Sequence, residues 1–241
     1  MSVLLEERLY YYAMIPGGCA LIFTLFEFVF GEMIVEKSYP SETRKIMDAV
    51  DKMPEEVSNG LLNCLKTVIE DLRGCDKTLV LATIHLKVNV TISKEDRIQV
   101  FGLLQIFPYF QIGMLHQEFV SSKEKSGRIL HGYKGIIGRC MRTENIESVN
   151  FATVDEYNFR MVNEFGFSKD EIEKHTFSAR SYFAAPFKSN SEVIGIIYLF
   201  TKEPQVFPKA VDKAKFISTA NHIVDILQVG KIIKTKANTG P

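Results

Sequence analysis

Two pairs of alternating apolar runs restrict this chain more than any other feature. In TLVLATIHLKV, the residues Val80, Ala82, Ile84, Leu86 and Val88 alternate with Leu81, Thr83, His85 and Lys87. That period of two is the signature of a half-buried strand. After the polar turn SKEDR, the run IQVFGLLQIFPYF places Val100, Gly102, Leu104 and Ile106 on one face and Phe101, Leu103 and Phe107 on the other. An antiparallel hairpin is expected. A second pair, SYFAAPF and EVIGIIYLFT, is joined across Ser189-Asn190-Ser191, residues that suit a tight turn.

Helical periodicity surrounds these strands. Ser41 and Glu42 open a short polar helix, SETRKIMDAVDKM, and Pro54 restarts a second one. Its apolar positions Leu61, Cys64, Leu65, Val68, Ile69 and Leu72 recur at helical spacing until Gly74. Between Gln111 and Lys174 the chain reads as loops and short helices, RILHGYKGIIGRCMRT and VDEYNFRMVNEFG, with Ser168 and Glu171 as a capping box for another. From Pro208 a closing helix is expected to bury Ala210, Ala214, Ile217, Val224 and Leu227. This order predicts an α+β fold, an antiparallel sheet with helices gathered on one face.

The N-terminus poses a separate question. From Leu9 to Phe26 the chain is uncharged for about 18 residues, close to the minimum for a membrane-crossing helix. Tyr10, Tyr11 and Tyr12 resemble an interfacial belt, and Lys37, Arg44, Lys45 and Lys52 follow the other end. Residues 9–36 are therefore read as a single-pass membrane segment with everything after Lys37 in the cytoplasm. A buried helix-turn broken at Pro16-Gly17-Gly18, with Glu27 and Glu32 on its wet side, is the alternative, because Glu27 is costly inside a bilayer. The divisions expected are a tail at 1–8, the apolar segment at 9–36, a helical linker at 37–53, one domain at 54–230 and a polar tail at 231–241.

Charge and motif content narrow the function classes. Lysine and arginine together equal aspartate and glutamate at 29 each, so no net field recruits nucleic acid, and no nucleic-acid partner is expected. The basic run KSGRILHGYKGIIGRCMR lacks the interleaved aromatics that base stacking needs. Cys19, Cys64, Cys75 and Cys140 lie far apart, and His85, His116, His131, His175 and His222 form no metal-ligand spacing. No phosphate-binding loop or nucleophile elbow occurs, and Gly132, Gly135 and Gly138 read as turn glycines. Cys140 beside Arg139 and Arg142 is the one thiol in a basic setting, which would favour the thiolate. Against that, its neighbours Ile136, Ile137 and Met141 suit an inert packed cysteine. Asn89-Val90-Thr91 matches a glycosylation sequon but sits at a strand end of a domain expected in the cytoplasm. The chain is accordingly not expected to be an enzyme.

The segment RSYFAAPFKSNSEVIGIIYLFTKEPQVF, Arg180 to Phe207, resembles the most recognisable stretch of GAF domains. Ala184, Ala185, Pro186, Phe187, Gly195 and Phe207 fill the family's small-residue strand, polar turn, glycine-bearing strand and closing Phe. Upstream, KGIIGRCMRTENIESV is similar to the family's Gly-apolar-apolar-Gly helix and short strand. The resemblance covers residues 54–230. It implies a pocket between sheet and insert for a small molecule, and a homodimer through helices 54–73 and 208–230. By resemblance the residues facing that pocket are Phe151, Tyr157, Phe159, Arg180, Tyr182 and Ala184, with Cys140 at its edge. Each also has a bland reading as core, and Arg180 as an ion-pair partner of Asp155 or Glu156. Gly195 is expected to let a helix or ligand approach the backbone. No signature of the cyclic-nucleotide phosphodiesterases and no Cys-His pair of bilin photoreceptors is present, so the ligand and any cofactor stay unassigned. Together with the apolar segment 9–36, the resemblance implies a membrane-tethered sensory module that signals through a partner or its membrane segment. The alternatives are a membrane-disrupting effector gated by this domain, and an enzyme like the free methionine sulfoxide reductases, with Cys140 and Cys75 as nucleophile and resolving thiol.

Overall fold

The computed structural model of the chain describes residues 41–91, 99–113, 127–173, 179–207 and 213–233. The apolar segment 9–36, the tail 1–8, His116, His175 and Ala210 lie outside the described residues. No helix among the described residues is long and apolar enough to cross a membrane.

Six helices and seven strands are described. Helices α1 (Ser41–Asp51) and α2 (Glu55–Glu70) lead through a short 3-10 turn, Lys77–Leu79, into strand β1 (Val80–Thr91). Strands β2 (Gln99–Gln105), β3 (Phe110–Gln111) and β4 (Ile129–His131) follow, then α3 (Gly135–Thr143), β5 (Glu147–Asn150), α4 (Val154–Asn163) and α5 (Lys169–Glu173). Strands β6 (Ser181–Ser189) and β7 (Glu192–Thr201) precede the closing helix α6 (Lys213–Val229).

All seven strands form one sheet in the order β4-β2-β1-β7-β6-β5, with β3 also on β1, and every pairing is antiparallel. Strand β1 is 12 residues long and serves both halves. Its first part pairs β7, from Val80 opposite Thr201 to Leu86 opposite Gly195, and its second part pairs β2, from His85 opposite Gln105 onward. The β6–β7 hairpin turns at Asn190 and Ser191, whose φ angles are 50° and 64°. Two successive left-handed residues match the right-handed twist of flanking strands, which is why Asn-Ser serves here.

The sheet separates two cores. On one face α1, α2 and α6 cover Ala82, Ile84, Leu86, Leu104, Phe183, Phe187, Ile197 and Leu199. On the other, the insert α3–α5 covers Leu103, Tyr182, Ala184 and Ile196. Helices α2 and α6 approach closely because Gly60 offers no side chain, and a Cβ there would lie 3.2 Å from Ile226 Cδ1. Helix α1 is fastened to the sheet as well: buried Thr43 donates its hydroxyl to the Asn89 carbonyl of β1, and Val50 and Met53 join the helix-side core.

Three local expectations change. Phe107 packs in the helix-side core, not opposite Leu104, because β2 ends at Gln105 and the chain turns before alternation reaches it. In α6 the buried stripe is Phe216, Ala220, Ile223, Val224 and Leu227, while Ala214 and Ile217 are exposed. The aromatic Phe216 sets the rotation of the helix by packing on Phe183, ring centroids 5.0 Å apart. Finally, the space over Gly195 is taken by the Phe187 ring of the neighbouring strand rather than by a helix or ligand.

Candidate functional site

Five of the seven residues singled out in the sequence meet in the insert-side core: Cys140 on α3, Phe151 after β5, Tyr157 on α4, and Tyr182 and Ala184 on β6. Phe151 is their hub. Its ring lies edge-on to Tyr157 at 5.1 Å and to Tyr182 at 5.6 Å, and the Arg160 guanidinium sits 5.3 Å over it. The Tyr182 hydroxyl donates to the Ala179 carbonyl at 3.1 Å.

Phe159 and Arg180 are not brought in. Phe159 is 66% exposed on the outer side of α4, where it lines a surface groove with Val162 and Ile172. Arg180 is exposed, and its contribution is backbone: its N–H donates to the Thr201 carbonyl, and its carbonyl accepts from the Phe151 N–H, both at 2.8 Å. Glu156 pairs with Arg160 at 3.6 Å instead, since the two stand one helical turn apart on α4.

The thiol chemistry weighed in the sequence finds no support in the arrangement. Cys140 is fully buried, and burial, then the nearby Glu147 carboxylate, pushes its thiol far above the ordinary range. The flanking guanidinium groups do not offset this. Arg139 spends its charge on Glu147 and Glu164, each at 3.3 Å, and Arg142 donates to the Tyr133 carbonyl. Cys75 packs at the edge of the helix-side core, across the sheet from Cys140. Its thiol is raised by burial first and by Glu203 next. Cys64, in the same helix-side core, is pushed up by burial to about 11.

The residue that sequence reasoning missed is His85. Its face of β1 is buried: Thr83 and His85 have no exposed surface, and Gln105 opposite His85 has 2%. Neither imidazole nitrogen has a hydrogen-bond partner among the described residues. Its polar neighbours are already engaged. The Thr83 hydroxyl and the Gln105 amide both donate to the Phe107 carbonyl, at 2.8 and 2.7 Å. The imidazole instead meets the Tyr198 ring edge-on at 6.1 Å. Tyr198 in turn neighbours Tyr182 at 6.4 Å and Phe200 at 5.8 Å, and Phe200 meets Tyr109 edge-on at 5.0 Å.

The electrostatics of this face are uniform. Burial depresses His85 from 6.5 to about 3, so the ring is neutral at ordinary pH. Burial also holds the phenols of Tyr109, Tyr182 and Tyr198 above their ordinary range. Charge of either sign is disfavoured. The signal for His85 was present in the phase of the strands, because it lies opposite Ile196 and on the face of Leu103.

No protein-family model matches the sequence, and no curated protein matches it. Among solved structures, the reduced form of fRMsr of Staphylococcus aureus is similar at 12% identity, covering 78% of this chain and 95% of its own, with a TM-score of 0.42. A type II free methionine-R-sulfoxide reductase from Thermoplasma acidophilum is similar at 14% identity over 72% and 94%, TM-score 0.43. The GAF domain of a phosphoenolpyruvate-protein phosphotransferase from Acinetobacter is similar at 13% identity over 73% and 98%, TM-score 0.39. With a helix pair on one sheet face and a helical insert on the other, the chain has an α+β fold whose element order around the Arg180–Phe207 hairpin is the one its resemblance to GAF domains implies.

Proposed function

We propose that residues 54–230 are a sensory or regulatory module that takes a small molecule on the insert-facing side of the sheet. The observation that carries this is His85, a wholly buried imidazole without a partner among the described residues, set beside a continuous group of tyrosine and phenylalanine rings. Buried polar groups in folded proteins are nearly always paired. A neutral imidazole that is not paired offers a donor and an acceptor to something that arrives from outside.

The route of output follows the same strand. His85 stands on β1, and the Asn89 carbonyl of β1 holds Thr43 of α1, the helix that follows the apolar segment 9–36. Occupancy would pass along β1 to α1 and from there to that segment, read as a single-pass membrane anchor, or to a partner. The helix pair α2–α6 is the proposed homodimer surface, and exposed Ile217 and Val229 on α6 support an apolar contact there.

Native mass spectrometry of the full-length chain tests the reading. A retained small molecule, lost on denaturation, together with a change of oligomeric state when it is stripped, is the expected result. A chain that carries nothing and keeps one oligomeric state under all additions overturns it. Fractionation of cells expressing the full chain and a form without residues 1–36 tests the anchor: only the full chain should sediment with membranes.

A further inference from the structure

We propose that His85 reads the ligand directly, and that this ligand is an uncharged planar molecule carrying a neutral hydrogen-bonding group that meets one imidazole nitrogen, as an aromatic amide does. The inference rests on the sensory reading above and adds the chemical class.

Three observations converge on it. The first is the unpartnered imidazole itself. One ring nitrogen of a neutral histidine donates and the other accepts, and His85 leaves both unused at 0% exposure among the described residues. The groups placed to satisfy it, Thr83 and Gln105, both turn to the Phe107 carbonyl. An imidazole with no work to do in the ligand-free fold is costly to bury.

The second is the company it keeps. Tyr198 is edge-on to it, and Tyr182, Phe200 and Tyr109 continue the aromatic surface. Flat π faces suit a planar ring, which gains both dispersion and quadrupole contacts there. The third is charge. Lys87, two residues on along the same face, is paired with Glu192 at 3.3 Å, so it is not waiting for an anion. Burial that neutralises His85 and keeps the tyrosines protonated would penalise a charged ligand in the same way.

Benzamide, benzoate and benzamidine are near-isosteric probes that differ in charge, and thermal unfolding of the full-length chain reads their binding. At about tenfold its dissociation constant, benzamide should raise the midpoint by about 3–6 °C. Benzoate and benzamidine should leave it unmoved. In His85→Leu the benzamide shift should vanish while the ligand-free midpoint rises by about 2 °C or more, because an unsatisfied polar group is gone. His85→Gln, which keeps a donor and an acceptor, should retain part of the shift.

A larger shift with benzoate or benzamidine would overturn the uncharged class and leave the sensory reading intact. A benzamide shift that persists in His85→Leu would overturn the role of His85. A lowered ligand-free midpoint in that variant would do the same, since it would mean the imidazole is structurally engaged. If no probe shifts the wild-type chain while native mass spectrometry finds a retained ligand, the ligand class is wrong and the sensory reading survives.

Discussion

The Phe187 ring occupies the space where Gly195 lacks a side chain: a Cβ at Gly195 would lie 2.8 Å from Phe187 Cε1 and 2.5 Å from the His85 carbonyl oxygen. Backbone cannot yield as a flexible side chain can. Gly195→Ala is therefore expected to destabilise the domain by about 1–3 kcal/mol. Phe187→Leu in the same chain should recover part of that loss but not all, because the carbonyl clash remains. Urea denaturation of the two single variants and the double variant measures it, and additive losses would show that the two positions do not interact.

Thr43 is the polar fastening between α1 and the sheet. Replacing it by Val keeps the shape, removes the donor and leaves the Asn89 carbonyl short of its partner. A loss of about 1 kcal/mol is expected. Hydrogen exchange read by mass spectrometry should rise in residues 41–51 with little change in β7; protection that is unchanged in α1 would show that apolar contacts alone hold the helix.

Acid should weaken the fold through His85. Its folded pKa is about 3 and its ordinary value 6.5, so the unfolded chain binds a proton in this interval that the folded chain refuses. Stability is full above 6.5 and falls as pH drops toward 3, by up to about 1.4 kcal/mol per pH unit. Between 6.5 and 4.5, the ordinary value of glutamate, most carboxylates still hold their charge. In His85→Leu the slope in this window should flatten. His131, also depressed by its surroundings, stays in both chains and cancels in the comparison.

Thiol reactivity should follow burial. Cys75 is half-buried, whereas Cys64 and Cys140 are enclosed in opposite cores. Of these three, iodoacetamide at pH 8 should modify Cys75 first in the native chain, with Cys64 and Cys140 reacting only after unfolding. Peptide mapping resolves the order. Rapid labelling of Cys140 in the native chain would reopen a thiol-based activity.

Helix α5 has five residues and depends on its cap. The Ser168 N–H donates to Glu171 at 2.8 Å, the Glu171 N–H donates to Ser168 Oγ at 3.2 Å, and Lys134 pairs with the same carboxylate. The hydrogen bond from Lys134 first, and those from Ser168 next, hold Glu171 at about 2 against an ordinary 4.5. The stability this adds is present above 4.5 and is lost as pH falls toward 2. Ser168→Ala should cost about 1 kcal/mol, visible as faster exchange in α5 and at the Lys134 turn.

Much of this arrangement was legible in the strands themselves. Alternation of Val80, Ala82, Ile84 and Leu86 against Thr83 and His85 placed β1, and the β6–β7 hairpin followed from its turn and period. What the alternation of β1 alone did not show is how completely each of its faces is buried. A period of two separates faces but does not say which is covered, and here the insert covers the face of Thr83 and His85. Phe159 and Arg180 stand outside the buried cluster for a related reason. A resemblance in sequence order assigns neighbours along the chain, whereas the rotation of α4 and the turn into β6 decide which side chain faces in. Ile217 shows the same limit, since one aromatic residue, Phe216, outweighs a plausible apolar stripe in setting a helix's rotation.

The two outermost strands of the sheet are its shortest long-sheet members: β4 has three residues and β5 has four, the latter reading Glu-Ser-Val-Asn. Among the described residues each outermost strand is therefore short, and a glutamate and an asparagine stand on one of them. Short, polar outer strands are poor templates for the strand-by-strand accretion of further chains that begins a fibril. A sheet built on hydrophobic β1 and β7 thus keeps these two strands in the middle, each paired on both sides, where they cannot seed the addition of a further chain.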